Sequence, residues 1–207
     1  MNETTDIKET AKETSPNNKG GIAAGLFDYF EIIVFSIIAV LLLFTFCVRL
    51  CKVDGGSMKN TLQDEELLIT TNLFYEPKQG DVVVFHLVNN SYKMPLVKRV
   101  IATEGQTVLI DLDTGKVFVD DVLLNEPYVF LDGGYYTSNG YFNPDKLSRD
   151  EKGHLVFKET VPEGMLFVMG DNRNHSSDSR SKGVGLIDKD CIMGKAILRL
   201  KPFTRFD

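Results

Sequence analysis

Residues 32–48 read IIVFSIIAVLLLFTFCV, an apolar run of about 17 residues interrupted only by Ser36 and Thr45. Such a segment either crosses a bilayer or is buried whole inside protein. A core helix would carry polar residues along one face. A cleavable secretory leader would be followed by a small-residue processing site, but here the chain continues FCVRLCKVDGG. The run is therefore expected to be an uncleaved transmembrane anchor over residues 26–50. Leu26, Phe27, Tyr29 and Phe30 extend it, beside Asp28 and Glu31, as an interfacial flank. Lys12 and Lys19 precede the run, and Arg49, Lys52 and Lys59 follow it. That balance does not set the orientation, and taken alone it leans toward a cytoplasmic C-terminal part.

Before the anchor, residues 1–25 open MNETTDIKETAKETSPNNKG, polar and charged with almost nothing to bury, and are expected to be a disordered tail. After it, residues 51–207 change to short β-like runs. Leu67–Thr71 and residues 81–85 are compact and β-branched, bounded by turn residues. Thr107–Asp111 and residues 116–120 flank Leu112-Asp113-Thr114-Gly115, a hairpin signal with glycine placed for a positive φ. Residues 166–169 and 191–200 read as two more strands. Long helical periodicity is missing. The expectation is a mainly β chain, with one N-terminal transmembrane helix followed by an antiparallel, barrel-like domain. Residues 131–160, rich in Gly, Tyr, Asn and charge, read as a surface insertion with one hairpin.

The formal net charge of −6, with no basic face, argues against nucleic acid as a partner. Three cysteines, Cys47, Cys51 and Cys191, are too few and scattered for a disulfide framework. On a helix Cys47 and Cys51 would share a face, and all three are read as small apolar residues. There is no CxxC or Cys/His pattern, and His86, His154 and His175 stand singly, so no metal is expected.

Three clusters carry potential chemistry. Val53-Asp54-Gly55-Gly56-Ser57-Met58-Lys59-Asn60-Thr61-Leu62 follows the anchor. Leu96-Val97-Lys98-Arg99-Val100-Ile101 is an apolar strand interrupted by two cations. Gly170-Asp171-Asn172-Arg173-Asn174-His175-Ser176-Ser177-Asp178-Ser179-Arg180 is a dense polar loop. Singly, each has a plain structural explanation. Ser57 suits a turn, Lys98 suits an exposed strand edge, and Asp171, Arg173, Asp178 and Arg180 suit surface ion pairs worth little. A serine hydroxyl, however, needs a base before it attacks. No histidine sits in a triad context, and His175 reads as exposed and structural. An amine serves as base only when neutral, and burial among apolar neighbours disfavours its charged form. Strand alternation puts Lys98 and Arg99 on opposite faces, so one can be buried while the other is paired.

Gly-x-Ser-Met, then Lys-Arg-Val in a β-run, then Gly-Asp-Asn-Arg…Ser-x-Asp-Ser-Arg resembles the motif set of type I signal peptidases of the Gram-positive kind. Gly80-Asp81-Val82-Val83-Val84-Phe85, Leu124-Asn125-Glu126-Pro127-Tyr128 and Val161-Pro162-Glu163-Gly164 are similar to that family as well. The resemblance implies a serine endopeptidase with Ser57 as nucleophile, Lys98 as general base and Ser176 orienting the amine. Asp178 with Arg180, and Asp171 with Arg99, would be scaffolding ion pairs. The Ser57 backbone N–H would stabilise the oxyanion. Val53, Met58, Val84 and Val97 match positions lining shallow pockets for small residues.

The resemblance further implies signal peptides of secreted preproteins as substrates, bound extended along a strand edge. It implies a lipid bilayer as the other partner, no cofactor, and function as a monomer. The tail would be cytoplasmic and the catalytic domain extracytoplasmic, close to the bilayer surface. Two positions depart from the pattern. Gly55 stands where some relatives carry a hydroxyl donor, and Asn60 stands where the family usually has proline. The second departure keeps open an alternative, a non-catalytic relative acting as an assembly factor or chaperone for surface proteins.

Overall fold

A computed structural model describes residues 19–46, 48–87, 94–136, 141–200 and 203–205. Of the tail expected to be disordered over residues 1–25, residues 1–18 lie outside these, as does Cys47, whereas residues 19–25 are helical. Contacts divide the chain into two units, Met1–Leu42 and Leu43–Asp207.

Helix α1 spans Lys19–Phe46, 28 residues, about 40 Å at the α-helical rise. No residue of its stretch Gly25–Leu42 is buried. Apolar side chains face outward all round, as at Phe27, Ile33, Phe35 and Leu41, which suits hydrocarbon rather than water. Ser36, which interrupts the apolar run after Glu31, turns its hydroxyl back onto the Ile32 carbonyl at 2.7 Å and so presents no unsatisfied donor. The helix begins earlier and ends earlier than the anchor read from sequence. Arg49 and Leu50 instead open a strand, which carries Cys51.

Among the described residues thirteen strands follow: β1 (Arg49–Lys52), β2 (Leu67–Thr71), β3 (Val82–Phe85), β4 (Leu96–Thr103), β5 (Thr107–Asp111), β6 (Val117–Val119), β7 (Val122–Leu123), β8 (Leu147–Arg149), β9 (Leu155–Thr160), β10 (Met165–Met169), β11 (Ile187–Asp188), β12 (Ile192–Leu200) and β13 (Phe203–Arg205). They form two antiparallel sheets. The larger runs β1-β2-β12-β3-β4-β10-β11, with β13 added to β12, and the smaller runs β7-β6-β5-β9-β8. The antiparallel, mainly β architecture expected from the sequence is what the chain adopts. Register shifts between Phe167 and Val168, and twice along β12, mark bulges in the larger sheet, which bend and twist it.

Local chemistry explains the turns. Between β5 and β6, Asp111 Oδ1 accepts the N–H groups of Asp113 and Thr114 at 3.0 Å each, and Gly115 takes φ +71°. That is the Asx-type turn with left-handed glycine the sequence suggested. Residues 131–160 do contain a hairpin, β8 paired with β9. They are not confined to the surface, however. Tyr136, Phe142 and Phe157 stack edge-on in sequence, at centroid spacings of 5.4 and 5.7 Å, inside the core that also holds Ile101, Ile110 and Phe167. Rings of this size bury too much apolar area to be left at the surface.

Strand β4 joins the parts. Val97 belongs to an apolar cluster with Val53 and Met58, Val100 to a second, and Ile101 to the third, larger one. Flanked by β3 and β10, it is an interior strand. The two cations at its middle are therefore not edge residues.

Candidate active site

The turn carrying Ser57 is tied at both ends. After β1, Val53 exchanges backbone bonds with Glu66 and Glu65 at 2.8 and 3.0 Å. Val53, Met58 and Leu62 are buried beneath it. Met58 O accepts the N–H groups of Thr61 and Leu62, so the segment coils into a short turn. Gly55, at φ +86°, donates its N–H to Asp64 Oδ1 at 2.8 Å. Ser57 is left half-buried at the tip.

Lys98 reaches this serine from β4, 41 residues further along the chain: Nζ lies 2.7 Å from Ser57 Oγ and donates also to the Val97 carbonyl at 3.0 Å. The lysine is only 2% exposed. Burial lowers its pKa to about 8, with Arg180 pushing the same way and Asp178 and Asp171 pulling against it. An amine so placed is partly neutral near physiological pH and touches a hydroxyl it can deprotonate.

The polar loop after β10 builds the wall behind the pair. Arg99, the other cation of β4, grips Asp171 with Nε–Oδ1 at 2.9 Å and Nη2–Oδ2 at 2.7 Å. Thr61 Oγ1 donates to the same carboxylate. Arg180 grips Asp178 through Nε–Oδ1 at 2.7 Å and Nη2–Oδ2 at 2.8 Å. Both residues of that pair are fully buried. Burial pushes the Asp178 carboxyl up, but Arg180 and the Gly170 N–H outweigh it and hold the pKa below the ordinary value. Asp171, Arg173, Asp178 and Arg180 are all at 1% exposure or less, so the plain explanation of each as a surface charge does not hold. Paired carboxylates and guanidinium groups make such burial tolerable.

Ser176 is buried, and its Oγ makes no well-directed hydrogen bond, although its hydroxyl helps draw the Asp178 carboxyl down. In this arrangement Lys98 donates to Ser57 and Val97 rather than to Ser176. The serine lies against Gly170, where a Cβ would overlap both Ser176 Oγ and the Ser57 carbonyl oxygen. Only glycine lets the loop approach Ser57 so closely. His175 is exposed.

Val53, Met58, Val84 and Val97 fall in one apolar cluster with Leu62, Leu68, Val82 and Ala196, and Val84 faces Val97 across the β3–β4 ladder.

The motif order and this geometry agree with what comparison with known proteins shows. The family described as "Signal peptidase, peptidase S26" matches residues 26–201. The chain belongs to this family. It is a serine endopeptidase. Signal peptidase I of Bacillus licheniformis is 33% identical over 196 residues, 93% of this chain and 96% of that protein. Signal peptidase I T of Bacillus subtilis (strain 168) is 33% identical over 203 residues, 97% and 96% of the two chains. Signal peptidase IB of Staphylococcus aureus (strain Mu50 / ATCC 700699) is 33% identical over 186 residues, 85% and 91%. A crystal structure of a signal peptidase I from Enterococcus faecalis V583 aligns at 29% identity and a TM-score of 0.42, over 58% of this chain and 97% of that one.

For this member of the signal peptidase family, Asn60 is a structural departure as well as a sequence one. It takes φ +92°, in the left-handed half of φ space that proline cannot enter, and its Nδ2 donates to the Tyr128 carbonyl at 3.0 Å.

Sequence reasoning passed over a second set of residues. Arg173 is buried and reaches back 47 residues to Glu126, Nη1–Oε2 at 2.9 Å, and donates to Tyr136 Oη at 3.0 Å. Tyr128 stacks over the Arg99 guanidinium at 3.8 Å. In the sequence the segment Leu124-Asn125-Glu126-Pro127-Tyr128 shows only a similarity to the family. One acidic and one aromatic residue placed two apart in it are what brace Arg173 and Arg99.

Proposed function

We propose that this chain removes signal peptides from exported preproteins, with Ser57 as nucleophile and Lys98 as general base. The observation that carries the reading is the 2.7 Å contact between Lys98 Nζ and Ser57 Oγ, made by an amine whose burial has lowered its pKa to about 8.

In the reaction, neutral Lys98 takes the Ser57 proton as Oγ bonds to the scissile carbonyl carbon, giving a tetrahedral oxyanion. The Ser57 N–H stabilises that oxygen. Lys98, now an ammonium, passes its proton to the leaving amine as the peptide bond breaks. Water then attacks the acyl-enzyme, with Lys98 again as base, releasing the signal peptide and regenerating the hydroxyl. Ser176, whose buried Oγ makes no well-directed hydrogen bond, is assigned to orient the amine through this cycle. The Arg99–Asp171 and Arg180–Asp178 pairs hold the surrounding wall.

Val53, Met58, Val84 and Val97 fall in one apolar cluster and are assigned to line shallow pockets that admit only small side chains next to the scissile bond, so cleavage follows small residues. The exposed apolar helix α1 supports a single-pass membrane anchor, with the tail cytoplasmic and the catalytic domain extracytoplasmic, acting as a monomer. Ser57→Ala and Lys98→Ala, each assayed on a signal-peptide-bearing preprotein in detergent, should both abolish cleavage. Processing at the wild-type rate by either variant would refute the assignment.

A further inference from the structure

We infer that Asn172 is a positioning residue for the oxyanion site, holding the Gly56–Ser57 peptide so that the Ser57 N–H faces the substrate carbonyl. The inference rests on the assignment of Ser57 as nucleophile.

Asn172 holds the carbonyls on both sides of the Ser57 N–H. Its Nδ2 donates to Gly56 O at 2.9 Å, and its backbone N–H donates to Ser57 O at 3.0 Å. A trans peptide is planar, with C=O and N–H pointing in opposite directions. Fixing Gly56 O against the Asn172 side chain therefore turns the Ser57 N–H away from the polar loop. Away from the loop the turn is open, since Gly56 is exposed and nothing lies within 4 Å of where its Cβ would be.

The asparagine is itself held. It is 5% exposed and pairs with Phe130 in a β-bridge. That bridge is flanked by bonds from Phe130 N to Asp171 O at 2.8 Å and from Arg173 N to Phe130 O at 3.0 Å. Its Oδ1 is buried with no hydrogen-bond partner. A side chain present only for stability would not leave half its amide unsatisfied, so the bond to Gly56 O is the one that accounts for an amide here.

The need for such a clamp follows from Gly55. With no hydroxyl two residues before the nucleophile, the Ser57 N–H has no side-chain donor from that position beside it, and its direction decides how well the oxyanion is met.

The test uses the full-length protein in detergent with a preprotein substrate. It compares Asn172→Ala, Asn172→Asp, which sets a carboxylate oxygen against Gly56 O, and Asn172→Ser, which keeps a short donor. Removing an oxyanion donor outright costs about 100- to 1000-fold in kcat, so turning one away should lower kcat about 10- to 100-fold with KM nearly unchanged, Asp losing most and Ser least. Affinity for a peptide boronate, whose tetrahedral adduct places an oxygen at the oxyanion position, should fall in parallel with kcat/KM. Affinity for the uncleavable product peptide should hold. Asn172→Ser, the mildest change, gives the same readings if another variant does not fold. Wild-type kcat in any folded variant overturns the inference, as does an equal loss of boronate and product-peptide affinity. Ser57→Ala, run alongside, separates the two failures. An active Ser57→Ala sinks the nucleophile assignment, whereas an inactive Ser57→Ala beside fully active Asn172 variants sinks this inference alone.

Discussion

With a Lys98 pKa of about 8, roughly a tenth of the amine is neutral at pH 7 and half at pH 8. If Lys98 is the base, kcat/KM should rise about fivefold between those pH values, approach a plateau near pH 9, and fall about tenfold per unit below pH 7. The same group leaves a mark on stability. Its folded pKa is depressed below the ordinary 10.5, so between about pH 8 and 10.5 the unfolded chain binds more protons than the folded one. Stability should therefore rise with pH through that window and be lost as pH falls toward 8. The full effect is about 3 kcal/mol, because the group is 2% exposed and poorly screened. Lys98→Met keeps the length of the side chain and removes the proton. The variant should be inactive, yet at pH 7 at least as stable as the wild type, and the stability difference between the two should shrink as pH rises from 8 to 10.5. Lys98→Arg should be inactive too, since a guanidinium stays charged. The measurements are initial rates on a preprotein substrate and urea unfolding, each across pH 6–10.5. A flat rate profile from pH 7 to 9, or a wild-type-minus-Met stability difference that does not vary with pH, would refute the reasoning.

Asn60→Pro restores the residue usual in the family, but here it should do harm. It forces φ from +92° to about −65° and loses the bond to Tyr128, at a cost of about 3 kcal/mol, whereas Asn60→Gly should cost about 1 kcal/mol. Unfolding midpoints decide it, and a proline variant as stable as the wild type would show that the turn is not held this way. Glu126→Ala strands the buried Arg173 guanidinium and should cost about 3–5 kcal/mol in the same unfolding assay. A loss below about 1 kcal/mol would mean that Tyr136 and the Gly170 carbonyl already satisfy the arginine.

Period-two runs with β-branched residues made β2, β3, β5, β10 and β12 legible, because each buries alternate or all side chains in an interior strand. Strand β7 was not legible. Two residues carry no period, and it exists because Asp120 and Asp121 both take positive φ, the mirror-image turn that folds Val122 back on Val119. Strands β8 and β9 were blurred by charges that face solvent from the same runs that place Phe157 in the core. At the site, the residue types that meet, Ser57 with Lys98, Arg99 with Asp171 and Arg180 with Asp178, could be named from motif order. Glu126 and Arg173 could not be paired, because no local spacing links residues 47 apart. Asn60 showed the limit of motif comparison most clearly. A missing proline reads as lost stiffness, while the backbone shows a left-handed turn fastened by the asparagine itself.

The charges around Lys98 explain why its burial, rather than its neighbours, sets its pKa. Asp171, Asp178 and Glu126 each engage their own arginine through two hydrogen bonds. Such forked pairs saturate both oxygens of the carboxylate. Among the described residues Lys98 takes part in no ion pair, although Asp178 and Asp171 are near enough to be felt. Were either carboxylate free, it would draw the ammonium toward it and hold the proton there, and the amine would cease to be a base near neutral pH. The arginines keep the acids occupied, so desolvation prevails. If Lys98 is the base, the Gly170–Arg180 loop serves it by withholding a counterion from the lysine, and the costly burial of the Arg99–Asp171 and Arg180–Asp178 pairs finds a reason there.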